Sequence, residues 1–284
     1  MLFKLTLAYT LAAASLSAIT FTFADFSSAP NINLISNASL TSNLLRLTPA
    51  LENQNGAAWF NTAVNVQGGF TSEFSFRITD RGGYKPDWEP GVNNDGADGF
   101  AFVIQAQGAS ALGLYASGLG YYGIPNSLAI EFDTWANKPS YCEPNGNHVA
   151  FQSLGPLGNR PEHCAGTEFD GTFTNPTLAI ATVGPDLSNG STYNARIVYN
   201  PGLLQLYLTD FSTPILSANV NLGTLLNLQN GTNAFVGFTS STGGAWENHD
   251  IVSWKFTEVP EPGTLALTGL GLVFGGLLHR RRTA

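Results

Sequence analysis

Residues 126–148 read Asn126-Ser-Leu-Ala-Ile-Glu131-Phe-Asp133-Thr-Trp135-Ala-Asn137-Lys-Pro-Ser-Tyr-Cys142-Glu143-Pro-Asn-Gly-Asn147-His148. An apolar strand runs into Glu131, Asp133 and Asn137, with Trp135 between the last two. Side chains alternate along a strand, so Glu131, Asp133 and Trp135 leave from one face where the strand ends. Glu143 and His148 return after a turn-rich loop. Four oxygen donors and one imidazole suit a pair of divalent cations, calcium beside manganese, better than copper or zinc.

Glu131-Phe-Asp-Thr-Trp-Ala-Asn137 followed by Asn147-His148-Val149 resembles the metal loop of the legume-type (L-type) lectins, in their bacterial form. Ala97-Asp98-Gly-Phe-Ala-Phe-Val-Ile104 resembles the strand that supplies that family's sugar-binding aspartate. Gly118-Leu-Gly-Tyr-Tyr-Gly-Ile-Pro-Asn126 resembles the glycine-rich loop before the metal strand. The run from Val236 to Phe256 resembles the closing strand pair with the specificity loop between. The likeness extends from about Asn31 to Phe256, with the motifs in the family's order.

The resemblance implies a role for each residue. Asp133 bridges two ions, Glu131 and His148 hold the transition ion (usually Mn²⁺), and Asn137 and the Trp135 carbonyl hold Ca²⁺. Glu143 stands where the family has a second bridging aspartate. Asp98 accepts from two sugar hydroxyls, and in the family the bond before it, here Ala97–Asp98, is cis. The Asn137 amide donates, and the Trp135 ring can stack on the sugar. A backbone N–H from the Ala116–Gly118 segment, carried by Ser117 or Gly118, completes the clamp. Gly244, Ala245 and Trp246 lie in the specificity loop, expected at 242–249. The expected partner is a carbohydrate, a glycan or exopolysaccharide. His249, Asp250 and Trp254 read as structural.

The chain ends carry their own signals. Lys4, an apolar run and Thr22-Phe-Ala24 form a secretory leader, residues 1–24, with a cut after Ala18 as the alternative. Val259-Pro-Glu-Pro262 precedes the apolar run Thr264–Leu278 and Arg280-Arg-Arg282. These 15 residues would span ~22 Å as a helix against ~30 Å of hydrocarbon. Residues 258–284 resemble the PEP-CTERM tail of Gram-negative bacteria, whose recognised partner is an exosortase; a plain C-terminal anchor is the alternative. Either reading exports the protein to the cell surface or extracellular matrix, with membrane contact only through this tail.

Between the signals, residues 25–257 suit one large β-sandwich. Without the terminal signals the chain has 8 basic and 18 acidic residues, a net charge near −10. Such acidity argues against nucleic acid and anionic membranes as partners. Short alternating strands are read at 44–47, 70–78, 99–105, 128–133, 178–182, 191–199, 204–209, 234–239 and 249–257. They imply two antiparallel sheets packed face to face, an all-β jelly roll, and the resemblance makes it concanavalin-like.

Cys142 and Cys164, the only cysteines, most simply form one disulfide in an oxidising compartment. Such a bridge stabilises by ~3 kcal/mol in the chain-entropy view. A zinc site using both cysteines and His163 is the competing use. A hydrolase would need two carboxylates ~5–9.5 Å apart across a cleft, whereas Glu131, Asp133 and Glu143 are better explained as metal ligands. The reading is a non-enzymatic metal-dependent lectin, with a purely structural surface protein as its rival.

Overall fold

In Phe70-Thr-Ser-Glu-Phe-Ser-Phe-Arg-Ile78 the apolar residues at 70, 74, 76 and 78 share one face, which a core must cover. This stretch opens the 14-residue strand Phe70–Gly83, and those four side chains are buried. The structure is a computed structural model that describes residues 18–84, 96–137, 140–168 and 171–259. Residues 1–17 of the leader and the apolar run 264–278 lie outside the described residues.

Two eight-stranded antiparallel sheets face each other. One runs, in spatial order, Leu216–Ala218, Leu203–Leu208, Thr192–Asn200, Phe70–Gly83, Ala245–Glu258, Leu44–Thr48 and Ser39–Thr41. The other runs Thr177–Thr182, His148–Gln152, Ser127–Asp133, Gly99–Gln105, Asn233–Ser241, Asn55–Phe60 and Ile32–Ser36, with Val64–Asn65 beside the Asn233–Ser241 strand. Their facing sides bury one aromatic-rich core, in which Phe100 stacks on Phe132 at 4.8 Å and Phe74 meets Phe238 edge-on at 5.0 Å. The all-β sandwich is therefore as expected. Trp254 lies in this core and Asp250 is held by Arg46 through two 2.8 Å bonds, so both are structural.

The compact unit begins before residue 25. Thr20–Phe23 is the eighth strand of the first sheet, paired with Trp254–Thr257. Phe21 stacks on Phe60 at 4.0 Å and on Phe256 at 5.4 Å. Ile19 N–H donates to the Glu258 carboxylate, and Glu258 N–H donates back to the Ile19 carbonyl. Glu258 also accepts from Asn65 N–H. Ile19–Glu258 thus forms one compact unit, wider at both ends than 25–257. Thr20-Phe-Thr-Phe23 continues the apolar stretch before it, so hydropathy alone does not mark this strand.

The second sheet sorts its side chains by parity. Leu128, Ile130 and Phe132 point into the core, which sends Ala129, Glu131 and Asp133 to the opposite face. There a second apolar cluster of Trp59, Ala101, Val103, Leu119 and Tyr121 forms under the loops that cross the sheet. Gly99 has φ +118°, and a Cβ there would lie 2.3 Å from the Phe132 carbonyl, so the chain passes at a separation only glycine allows.

Candidate metal centre and sugar site

Register brings the ligand candidates together. Asp133 pairs with Gly99 on one side and with His148 on the other, while Glu131 pairs with Ala101 and Ala150. Directly opposed residues share a face with Cβ atoms about 5 Å apart. Glu131, Asp133 and His148 therefore converge without any loop having to place them. All three are buried, and Glu143 joins them with 5% exposure.

Each carboxylate has defined partners. Tyr121 Oη donates to Glu131 Oε2 at 2.6 Å, and Gln152 Nε2 donates to Glu131 Oε1 at 3.2 Å. Trp135 N–H donates to Asp133 Oδ1 at 2.8 Å. Glu143 accepts from Asn137 twice, from its backbone N–H and from its Nδ2 at 3.2 Å. The His148 Nδ1 meets the Asn145 carbonyl at 2.8 Å, which makes Nδ1 the protonated nitrogen and leaves a lone pair on Nε2. Tyr121 thus fixes the Glu131 carboxylate.

The electrostatics are those of anions crowded together. Burial, opposed by the Tyr121 hydrogen bond and reinforced by Glu143, pushes the Glu131 carboxyl up to about 8. Burial first, then Glu143 and Glu131, raise Asp133 well above the usual carboxylate range. Burial, then Glu247 and Glu143, do the same to Asp98. A bound divalent cation would reverse these costs, and oxygen donors beside an imidazole are a donor set that calcium and a first-row ion accept. The residues fit the ions the resemblance implies.

Asp98 lies just before the strand Gly99–Gln105, beside the turn at Gly243. Its N–H donates to the Ser241 carbonyl, and its carbonyl accepts from Thr134 N–H. The Ala97–Asp98 bond is cis. Its Oδ2 is buried with no hydrogen-bond partner among the described residues. A Cβ on Gly243 would lie 3.5 Å from that oxygen and 3.2 Å from the Ala116 Cβ, so the three segments meet at Asp98. In the Ala116–Gly118 turn, Gly118 N–H donates to the Tyr115 carbonyl, and Ser117 Oγ is 3.0 Å from Tyr141 Oη.

The specificity loop is shorter than expected. Residues 245–249 belong to the strand Ala245–Glu258, paired with the end of Phe70–Gly83, so only a turn around Gly243 and Gly244 remains. Gly244 is exposed, Ala245 is buried, and half-buried Trp246 lies against Gly82 and Gly83. The sequence reading starts this strand at 249 because Trp246-Glu-Asn-His shows no alternation.

Tyr84, Glu247 and Gln152 escaped the sequence reading, and His163 entered it only with the two cysteines. Exposed Tyr84 donates its N–H to the Gly244 carbonyl, and its ring lies 6.4 Å from that of Trp135. Glu247 is buried, accepts from Thr134 Oγ1, and faces His249 Nε2 at 3.2 Å. Gln152 and His163 flank Glu131. Cys142 and Cys164 form the disulfide, which excludes a zinc site made with both sulfurs. The sequence offered His163 only as a zinc partner of the two cysteines, and the disulfide removes those two ligands.

The two-sheet sandwich thus buries a carboxylate–imidazole cluster, with Asp98 Oδ2 lacking a hydrogen-bond partner among the described residues. The profile of the legume lectin beta-barrel domain matches residues 21–253, and the chain belongs to that family. The PEP-CTERM protein-sorting motif matches residues 258–282. Among relatives, Lectin 1 of Laburnum alpinum is 28% identical over 70% of this chain and 72% of its own. The L-type lectin-domain containing receptor kinase VIII.1 of Arabidopsis thaliana is 28% identical over 80% of this chain and 30% of its own. Human ERGIC-53 is 25% identical over 80% of this chain and 39% of its own. The chain thus spans about a third of the receptor kinases it matches.

Solved structures agree on the fold. The Bauhinia forficata lectin in complex with GalNAc has a TM-score of 0.65 at 22% identity, covering 86% of this chain and 99% of that one. The metal-free Griffonia simplicifolia lectin I-B4 has a TM-score of 0.64 at 23% identity, covering 84% and 98%.

Proposed function

We propose that the protein is a non-enzymatic, metal-dependent carbohydrate-binding protein. Asp98, Asn137, Trp135 and the Ser117 backbone would form the sugar clamp; Gly118 N–H is already engaged within its turn. The observation that carries this reading is the buried Asp98 Oδ2 beside the turn at Gly243, an oxygen with no hydrogen-bond partner among the described residues. A buried acceptor of that kind costs ~1–3 kcal/mol unless a ligand satisfies it. Glu131, Asp133 and His148 would hold the transition ion, and Asp133, Asn137, the Trp135 carbonyl and Glu143 would hold calcium. When bound, the ions supply positive charge that neutralises the buried carboxylates. The chain's own residues do the rest: Glu143 fixes Asn137, and Asp133 fixes the Trp135 backbone.

One observation favours the structural rival. Asn137 Nδ2, the expected sugar donor, is directed at Glu143 Oε1. The two readings part in a glycan-array experiment on the full chain with calcium and after EDTA. Binding that EDTA removes supports the lectin, whereas silence with calcium still raising the melting temperature supports the structural protein.

The sorting motif supports export and exosortase processing of the tail, and a setting at the cell surface or in an exopolysaccharide matrix. For the leader, a cut close to Ala18 rather than Ala24 fits the sandwich, because it leaves Thr20–Phe23 in place.

A further inference from the structure

We propose that His163 is a ligand of the transition-ion position, which makes that site a two-imidazole centre that selects zinc over manganese. The inference rests on the metal-dependent reading above and deepens it.

Three donor atoms converge. His163 Nε2 lies 3.1 Å from His148 Nε2 and 3.3 Å from Glu131 Oε1. A first-row ion with bonds of about 2.1 Å holds neighbouring donors about 3.0 Å apart in an octahedron and about 3.4 Å apart in a tetrahedron. The observed separations fall in that interval. The donors are also dry: Glu131 and His148 are fully buried, and the His163 side chain is 3% exposed.

Tautomers decide what the cluster can hold. His148 Nδ1–H donates to the Asn145 carbonyl, so its Nε2 is an acceptor. His163 Nδ1 is 3.0 Å from Thr177 Oγ1, which can take its proton. Gln152 Nε2 is 2.9 Å from the same nitrogen, and Gln152 Oε1 has no partner among the described residues. Gln152 Nε2 also donates to Glu131 Oε1, so this amide holds Glu131 and His163 side by side. With Nδ1 protonated, two imidazole lone pairs and a carboxylate oxygen face one another, and a cation is what such an arrangement accommodates. Outer-shell acceptors on the far nitrogen are how metal-bound histidines are oriented.

The disulfide completes the argument. Glu143 follows Cys142 and His163 precedes Cys164, so one covalent bridge fastens the two loops that carry candidate donors. His163 N–H also donates to the Tyr141 carbonyl at 2.7 Å. Glu143, expected to bridge the ions, directs its carboxylate to Asn137. Replacing a carboxylate by a second imidazole shifts the preference from manganese toward zinc, on ligand softness and the usual affinity order.

The test uses the full chain, purified with its disulfide formed, stripped with EDTA and reloaded with calcium chloride plus zinc sulfate or manganese chloride. X-ray absorption fine structure at the zinc edge counts imidazoles directly. Two imidazoles in the native protein and one in His163→Ala are expected, with zinc affinity lowered at least about tenfold and calcium binding retained. His163→Gln guards against a variant that fails to fold. One imidazole in the native protein, or unchanged zinc affinity in both variants while His148→Ala loses it, overturns the His163 assignment and spares the metal site. Zinc and manganese binding unaffected by His148→Ala and Glu131→Gln overturns both.

Discussion

Asn137 and Glu143 are joined twice: the Glu143 carboxylate accepts from the Asn137 backbone N–H and from its side-chain amide. The residue expected to touch both calcium and sugar is therefore fixed by the residue that departs from the family's aspartate. Glu143→Ala should release Asn137 and weaken calcium and sugar binding together, by about ten- to a hundredfold. Parallel calcium titrations and glycan binding check this; loss of sugar binding alone would place Glu143 outside the calcium site.

Asp133 and Asp98 should separate stability from recognition. Asp133→Ala removes a buried ligand, so in calcium its melting temperature should fall below wild type. In EDTA it should equal or exceed wild type, because the same carboxylate is costly to bury without a cation. Asp98→Ala should abolish sugar binding and leave the melting temperature in calcium intact.

The sequence announced these sites unevenly, for physical reasons. Half-buried strands such as Phe70–Gly83 and Thr192–Asn200 alternate visibly, and Gly99–Gln105 fell on its expected residues. Asn55–Phe60 and His148–Gln152 lacked alternation because both faces are covered. Glu131, Asp133 and His148 were legible because they lie on adjacent strands in one motif. His163 and Tyr84 come from elsewhere and meet the site only through folding, which one sequence does not reveal, and Gln152 ends the His148 strand with no motif to mark it.

The metal-free protein should lose stability as pH rises above neutrality. The Glu131 carboxyl sits at about 8 when folded and near its ordinary value of 4.5 when unfolded. A raised acid pKa means the unfolded chain releases its proton first, so stability falls from about pH 4.5 to 8. The His163 contribution has the opposite sign, being lost as pH drops from 6.5 toward about 3. Above pH 6.5 only the carboxylate effect remains. Melting curves in EDTA should therefore decline between pH 6.5 and 8, and saturating metal should remove the decline.

The edge strand Thr20–Phe23 predicts its own processing. Mass spectrometry of the exported protein should find a mature N-terminus near Ala18, retaining Phe21. Phe21→Ala should destabilise by about 2–3 kcal/mol, less than a fully buried Phe→Ala because the ring is half-exposed. A mature chain beginning at Asp25 would contradict the assignment of this strand to the exported fold.

Tyr84, exposed beside Trp135, should contribute a stacking face to the ligand. Tyr84→Ala should weaken sugar binding by about 0.5–1.5 kcal/mol, with no change in melting temperature. An unchanged affinity would confine stacking to Trp135.

The most direct test of the central claim is glycan binding by the full chain in calcium, after EDTA, and in Asp98→Ala. The metal-organised clamp predicts a defined sugar class bound in calcium, released by EDTA and absent in Asp98→Ala. Binding that survives both EDTA and the loss of Asp98 would contradict it.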